Sequence, residues 1–356
     1  MNHLFEATRL GKLELRNRVV MAPMTRSRAG AKDEPTDLVV EYYRQRASAG
    51  MIVTEGIYPS IDGKGYCRTP GLETPVQIEA WRRVCEAVHA EGGTIVAQLM
   101  HCGRVCHTDN KPADAETVAP SAIAAKGEMY TDTAGMQPFS APRALHRDEI
   151  PGVIEAYARA TRNAIEAGFD GAELHGTSGY LPAQFLSTGS NHRDDAYGGS
   201  LANRVRFPVE VLEAMTRVAG ADCVGLRICP GNPFNDLSDD DPEETFTAFL
   251  RAVDPMGLAY LHVIRLHDVE LDNIALARKH FSGPLILNDG YRLDEAKRVT
   301  RECGGEAVAF ARAYIGNPDL VERFRQGAPL ARFDPKKLYT PGPAGYTDFP
   351  PLSGAE

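Results

Sequence analysis

The chain has 356 residues, of which 43% are apolar and 24% are charged, a balance typical of globular domains. Its 39 Lys and Arg residues and 48 Asp and Glu residues give a net charge of −9, which disfavours nucleic-acid and anionic-membrane partners. No apolar run approaches the roughly 18 residues of a transmembrane helix, and the beginning of the chain lacks the apolar core of a signal peptide. With an odd number of cysteines, seven, these features predict a cytoplasmic protein with reduced thiols.

Short apolar segments alternate with longer helical segments along the chain. The predicted strands are Arg18–Ala22, Met51–Thr54, Thr94–Leu99, Gly171–Leu174, Val224–Ile228, Tyr260–Ile264, Leu285–Leu287 and Ala307–Phe310. The predicted helices are Asp37–Ala49, Pro75–Glu91, Pro151–Ala167, Leu201–Ala219, Pro242–Pro255, Asn273–His280, Leu293–Cys303 and Pro318–Gln326. This alternation predicts an α/β fold, a (β/α)8 TIM barrel.

Two segments fall outside the alternation. Residues 101–147, which follow the third strand, are rich in Pro, Ala and Thr, and we expect them to form an excursion that caps the barrel mouth. Residues 327–356 are rich in Pro and Gly and are predicted to form a loop tail on the surface. No linker separates the elements, so the sequence predicts a single domain over residues 1–356.

Polar side chains follow most of the predicted strands. In a TIM barrel the active site lies at the carboxyl ends of the strands. The polar residues at these positions are Thr25, Glu55, Gln98, His101, His175, Arg227, Asn288, Asp289 and Arg312. Any one of them could cap a helix or lie in a loop, but their joint placement predicts an active site at this end of the barrel.

An arginine ends the fifth strand and another follows the eighth. Arg227 and Arg312 would be costly at the edge of a barrel unless they met an anion. The loops after strands seven and eight are the common phosphate site of this fold, and here Asn288–Gly290 would supply the turn and Pro318 would open a short helix. The alternative is a structural ion pair between Arg312 and Asp289. A Rossmann fingerprint is absent, so a nicotinamide cofactor would visit the barrel rather than reside in it.

Two further clusters contain side chains that could bind a metal or a substrate. The segment from His101 to His107 contains Cys102 and Cys106, but their spacing is not that of a structural zinc site, so no metal is predicted. His175 and Tyr180 follow strand four. They can donate a hydrogen bond and a proton to a substrate, or they can pack a loop, and spacing alone leaves both interpretations open.

Four segments carry a resemblance to a known family: Asn17–Arg28, Gly168–Phe207, Val308–Leu320 and Gly345–Pro350. In order and over nearly the full chain, they resemble the Old Yellow Enzyme family. The resemblance implies a non-covalent FMN on a TIM barrel, reduced by NADPH or NADH. It also implies a ping-pong reaction through one site, in which the activated C=C bond of an α,β-unsaturated carbonyl or nitro compound is reduced. The implied partner is therefore a small-molecule alkene.

The resemblance also implies roles for individual residues. Tyr180 would be the proton donor, and His175 and Ser178 would bind the substrate oxygen, while Thr25 would tune the flavin. The implied FMN-binding residues are Pro23, Met24, Thr25, Gly56, Gln98, Arg227, Asp289, Gly290, Ala311 and Arg312. The implied walls of the substrate pocket are Tyr66, Met100 and Tyr339.

The sequence departs from the family pattern at four positions. Ser178 stands where the family has Asn or His, and we expect it to weaken activity on simple enones. Asp289 and Ala311 each stand where glycine is usual beside the phosphate, which predicts weaker FMN binding. Met100 replaces an aromatic residue, which predicts a reshaped or wider pocket.

Three alternatives to an ene reductase remain at this stage. One is a flavin-dependent isomerase or a specialised biosynthetic catalyst with no net reduction. The others are a ligand-binding barrel without catalysis and a metal-dependent hydrolase. The sequence leaves open the physiological alkene and whether the protein is a monomer or a homodimer.

Overall fold

A closed barrel of parallel strands forms the centre of the molecule in the computed structural model, which describes residues 3–266, 269–302 and 304–352. The strands are β1 (Val19–Met21), β2 (Met51–Val53), β3 (Ile95–Leu99), β4 (Gly171–His175), β5 (Val224–Ile228), β6 (Tyr260–Ile264), β7 (Leu285–Asn288) and β8 (Ala307–Phe310). Each pairs with its neighbour, and β8 pairs with β1 to close the ring. The predicted TIM barrel is confirmed.

The barrel strands are almost wholly buried, which explains why they read as continuous apolar runs. A hairpin of Thr8–Leu10 and Leu13–Leu15 packs its leucines against the barrel interior. The backbone N–H of Lys12 donates to the Asp222 carbonyl, just before β5, so this hairpin lies at the amino ends of the strands. The carboxyl ends of the strands, at the other end of the barrel, are therefore available for a functional site.

Helices surround the barrel. The observed helices are α1 (Asp37–Arg44), α2 (Pro75–Ala90), α3 (Ile150–Glu166), α4 (Leu181–Leu186), α5 (Leu201–Ala219), α6 (Pro242–Val253), α7 (Asn273–His280), α8 (Leu293–Glu302), α9 (Arg312–Gly316) and α10 (Leu320–Gln326). Caps fix several of their starts: Thr74 and Gln77 form a capping box at the start of α2, and Asp241 caps α6.

Most predicted helices match within a few residues, with three differences. The first ends at Arg44 rather than Ala49, because the following residues form tighter turns. Cys303, the predicted end of α8, lies outside the described residues. The prediction that Pro318 opens a helix is wrong: the short helix α9 begins directly after β8 at Arg312, and α10 begins at Leu320.

The excursion after β3 contains regular structure that the sequence did not reveal. Between β3 and α3 it forms an antiparallel hairpin, Glu128–Thr131 with Gly135–Pro138, and a short parallel pair, Val118–Ala119 with Arg143–Ala144. The described part of the tail beyond α10 has one 3-10 turn, Pro335–Lys337. The single-domain organisation stays a prediction. Across the described ranges, no helix is long and apolar enough to cross a membrane.

Candidate active site

A cavity of about 490 Å³ opens at the carboxyl ends of the barrel strands. Its wall unites predicted residues that come from five strand ends and from three loops. The predicted residues that line it are Pro23, Met24, Thr25, Gly56, Tyr66, Gln98, Met100, His175, Ser178, Tyr180, Arg227 and Tyr339. The chain thus gathers side chains from positions 23 to 339 around one space.

The predicted phosphate residues do not line this cavity. Asp289 and Gly290 follow β7, and Ala311 and Arg312 follow β8; because β7 and β8 are paired, the two loops start side by side. Asp289 and Gly290 have φ of 86° and 66°, the left-handed conformation that favours glycine, so the aspartate occupies a glycine-like turn. Arg312 is exposed, and within the described ranges its side chain forms no ion pair, with Asp289 or any other residue.

A tight turn after β4 points Tyr180 into the cavity. Ser178 and Gly179 both adopt positive φ, 60° and 84°, and α4 begins at the next residue but one. A Cβ at Gly179 would lie 2.5 Å from the Cβ of Asn235, so only glycine fits here. The turn places the Tyr180 ring edge-on to the His175 ring, with 4.8 Å between their centroids.

His175 is buried as a neutral imidazole. Burial, and then the nearby positive charge of Arg227, lowers the pKa of His175 to about 3. Its Nδ1 atom is buried and has no hydrogen-bond partner within the described residues, although the side chain lines the cavity. A buried polar atom without a partner at a cavity wall is suited to a ligand oxygen or nitrogen.

A buried polar network stands behind Arg227. The Nδ1 atom of His262 lies 2.9 Å from Oε2 of Glu173, and its Nε2 lies 2.6 Å from the Arg227 guanidinium. These neighbours fix the tautomer: Nδ1–H donates to the carboxylate and Nε2 accepts from arginine. Arg227 also donates to Asn288 Oδ1 at 2.8 Å, and Gln98 Nε2 donates to Glu173 at 2.7 Å.

These contacts fix the orientation of Arg227. Burial lowers the pKa of His262 to about 4, in keeping with its role as an acceptor from the guanidinium. Sequence reasoning missed Glu173 and His262. The available signal was a polar residue within an otherwise apolar inner strand, in GAELH and in YLHVI.

The mouth of the cavity has an apolar rim. It comprises Tyr130, Met136, Phe234 and Tyr339, each between 52% and 59% exposed. Tyr130 and Met136 come from the excursion hairpin, Phe234 from the loop after β5, and Tyr339 from the tail. Sequence reasoning identified Tyr339 alone among these four residues.

The donor set fits a flat heteroaromatic ring. Pro23 and Met24 offer an apolar face, while Gln98 and Arg227 supply polar groups to the same cavity. Gly56 allows close approach of the backbone, since a Cβ there would lie 2.5 Å from Met100 Sδ. The guanidinium of Arg312 forms no ion pair with any residue of the described ranges, and its loop starts beside the turn at Asp289 and Gly290, so it is suited to a phosphate. The residues present therefore fit FMN.

The cysteine-containing segment after β3 takes part in packing. Nδ1 of His101 accepts a hydrogen bond from the Gly103 N–H, and the Cys106 thiol lies 3.3 Å from the Thr117 hydroxyl. Among the residues whose placement is described, no group of three or more His, Cys, Asp or Glu side chains is arranged to hold a metal ion.

Comparisons with known proteins agree with this geometry. Residues 3–331 match the model of the NADH:flavin oxidoreductase / NADH oxidase family. A probable flavin mononucleotide-dependent alkene reductase of Leishmania infantum is 39% identical over 347 residues, which cover 96% of this chain and 95% of the relative.

Solved structures are similar as well. Morphinone reductase in complex with tetrahydroNAD superposes with a TM-score of 0.94 at 43% identity, covering 99% of this chain and 98% of that one. The old yellow enzyme homologue from Zymomonas mobilis superposes with a TM-score of 0.94 at 37% identity, covering 98% of this chain and 99% of that one.

Proposed function

Because the chain belongs to the Old Yellow Enzyme family of NADH:flavin oxidoreductases, we propose that it is an FMN-dependent ene reductase with a ping-pong mechanism. It uses NADPH or NADH to reduce the activated C=C bond of α,β-unsaturated carbonyl or nitro compounds. The observation that carries the proposal is the convergence of His175, Tyr180 and Arg227 on one cavity with an apolar rim. The chemistry that FMN supplies when bound is two-electron transfer between the nicotinamide and the alkene.

In this proposal the barrel strands hold the cofactor. Thr25 and Gln98 would hydrogen-bond the cofactor ring, and Arg227, held by His262 and Asn288, would supply positive charge to it. Pro23, Met24 and Gly56 would line the ring, while Asp289, Gly290, Ala311 and Arg312 would hold the phosphate. The positive φ at Asp289 supports this assignment, because the aspartate adopts the left-handed turn that glycine usually supplies at this position.

The loops bind the substrate. His175 is neutral above its lowered pKa of about 3 and donates a hydrogen bond to the substrate oxygen, where negative charge develops. Ser178 assists from the neighbouring turn, and Tyr66, Met100 and Tyr339 form the walls. Tyr180 protonates the α-carbon. Burial raises the pKa of Tyr180 well above its ordinary range, so the hydroxyl holds its proton until the substrate develops negative charge.

The test is an absorption spectrum of the purified protein, followed anaerobically by NADPH and then by 2-cyclohexen-1-one. We expect a flavin spectrum that bleaches with NADPH and returns with the enone. In the Tyr180→Phe variant the flavin absorbance should still bleach with NADPH. It should return with the enone about 10²–10⁴-fold more slowly, because that is the usual contribution of a general acid. Bleaching without recovery in the wild type would contradict net reduction and favour the isomerase. A protein that takes up no FMN would refute the proposal as a whole.

A cytoplasmic location is part of the same proposal. The six described cysteines are all unpaired, which supports a reducing compartment. Fractionation of the source cells tests this, and recovery of the protein with exported material would contradict it. Monomer and homodimer remain open and are distinguished by light scattering.

A further inference from the structure

Two tyrosine hydroxyls and one amide meet at the cavity wall. The hydroxyl oxygens of Tyr66 and Tyr180 lie 3.1 Å apart. Asn235, from the loop after β5, donates from Nδ2 to the Ser178 carbonyl at 2.7 Å and lines the cavity beside both tyrosines. Burial raises the pKa of Tyr66, while hydrogen bonds with Tyr180 and Asn235 act in the opposite direction. The three side chains therefore form one chain of hydrogen bonds.

The two tyrosines differ in surroundings. The Tyr180 side chain is 7% exposed and packs in an apolar cluster with Met100, Cys102 and Val105. Tyr66 is only partly buried at the edge of the same cluster. A phenolate left on Tyr180 after protonation of a substrate would lack water and would be costly. A phenolate on Tyr66 would belong to the less buried of the two side chains and would face an amide donor.

We propose that Tyr66 is a proton relay for Tyr180 and that Asn235 stabilises the charge that the relay leaves on Tyr66. The inference rests on the proposed function, because it concerns how Tyr180 is reprotonated. The O–H bond of Tyr180 breaks as a C–H bond forms on the substrate. In the same step the O–H bond of Tyr66 breaks as that of Tyr180 reforms, and the Tyr66 phenolate then takes a proton from water, which leaves hydroxide in the solvent. The negative charge thus moves to the less buried of the two side chains, beside the Asn235 amide.

The backbone explains why an asparagine suits this position. Asn235 has φ of 57°, a left-handed conformation that asparagine adopts more readily than most residues. Its amide has two N–H groups. One is taken by the Ser178 carbonyl, and the other is left for the Tyr66 oxygen, with which the amide interacts. An acceptor at this position could not stabilise a phenolate.

The experiment is a double-mutant cycle on the FMN-loaded enzyme with Tyr66→Phe and Asn235→Asp. Stopped-flow absorbance measures the rate of reoxidation by 2-cyclohexen-1-one relative to the rate of reduction by NADPH in the same variant. We expect each single variant to lower this ratio by about tenfold or more, which is less than the ~10²–10⁴-fold contribution of the general acid itself. Asn235→Asp should have little further effect in the Tyr66→Phe background, since its effect acts through Tyr66. Tyr197→Phe, whose hydroxyl binds Glu210 away from the cavity, is the matched control.

Rates in mixtures of H₂O and D₂O add a readout that a purely structural role would not move. The wild type should show a curved dependence on the D₂O fraction, because two protons move, and Tyr66→Phe should show a linear one. A linear dependence in the wild type, or additive effects of the two substitutions, would overturn the relay. A wild type that NADPH reduces but no enone reoxidises would instead contradict the proposed function, and the relay would fall with it.

Discussion

Ser178 combines an unusual side chain with an unusual backbone. It stands where a longer amide is expected, and its φ of 60° lies in the left-handed region. Asparagine tolerates this region better than serine does. The backbone carbonyl of Ser178 already accepts a hydrogen bond from Asn235, so a change of the side chain at position 178 leaves that contact in place. The position can therefore accept asparagine without strain.

We predict that Ser178→Asn raises the rate of enone reduction. The longer amide would add a second donor to the substrate oxygen beside His175. Loss of one such donor typically costs on the order of 10²–10³ in rate, so a gain of about tenfold is a modest expectation. The measurement is the stopped-flow reoxidation rate with 2-cyclohexen-1-one, with Ser178→Ala as the matched control. An unchanged or lower rate in the asparagine variant would show that serine is not the weakness.

The sequence predicted the residues at strand ends better than those behind them. All the predicted flavin-ring and pocket residues line one cavity, because a barrel brings its strand ends together whatever their separation along the chain. Glu173 and His262 were missed because they lie within strands that read as apolar runs. Asn235 was missed because it lies in a loop without a repeating pattern, where only tertiary contacts reveal its role.

Two buried arginines from the loop after β1 hold a segment of the tail, which we call the strap (residues 337–346). Arg26 donates to the carbonyls of Leu338 and Gly345. Arg28 donates to four strap carbonyls, those of Lys337, Leu338, Gly342 and Ala344. The strap carries Tyr339 to the cavity rim. The same loop that supplies Thr25 thus also positions a wall of the substrate pocket.

We predict that Arg28→Lys loosens the strap without unfolding the barrel. Lysine keeps the charge but lacks the planar fork that reaches several carbonyls at once, and each hydrogen bond from a charged donor is worth about 1.5–3 kcal/mol. Hydrogen exchange should become faster at strap amides and stay unchanged in β3–β5. Arg217→Lys, on the exposed face of α5, is the control. Equal exchange in both variants would show that Arg28 does not hold the strap.

At the level of elements, length decided what the sequence could predict. Strands β5, β6 and β8 and helices α5 and α7 match the prediction residue for residue. Helices α4 and α9 were missed because six and five residues are too short to show a helical period. The hairpin at 128–138 was missed for a related reason, since its strands are four residues each and one face is exposed.

Burial of neutral histidines affects the stability of the whole molecule. Burial lowers the pKa of His101 and of His175 to about 3 and that of His262 to about 4, against an ordinary value of 6.5. Below pH 6.5 the unfolded chain binds protons at these residues and the folded chain does not. The free energy of unfolding is therefore lowered as the pH falls from about 6.5 towards 4.

We predict that His101→Gln flattens this acid dependence. Each such histidine contributes up to about 1.4 kcal/mol per pH unit below its unfolded pKa, so removal of one should be visible in urea unfolding at pH 5 against pH 7. Glutamine can still accept from the Gly103 N–H. His192→Gln, at an exposed position, is the control. Identical slopes in the two variants would show that His101 does not titrate with unfolding.

The residues of the apolar rim can change in evolution independently of the residues deeper in the cavity. Its four side chains belong to the excursion hairpin, the loop after β5 and the strap, whereas the polar groups deeper in the cavity belong to the barrel strands and the turns that follow them. Exchange of a rim residue leaves every strand contact intact. Substitutions in the hairpin, the loop after β5 and the strap can therefore alter which molecules enter the cavity, while the residues that carry out the reaction stay unchanged. New substrate ranges can arise in this way.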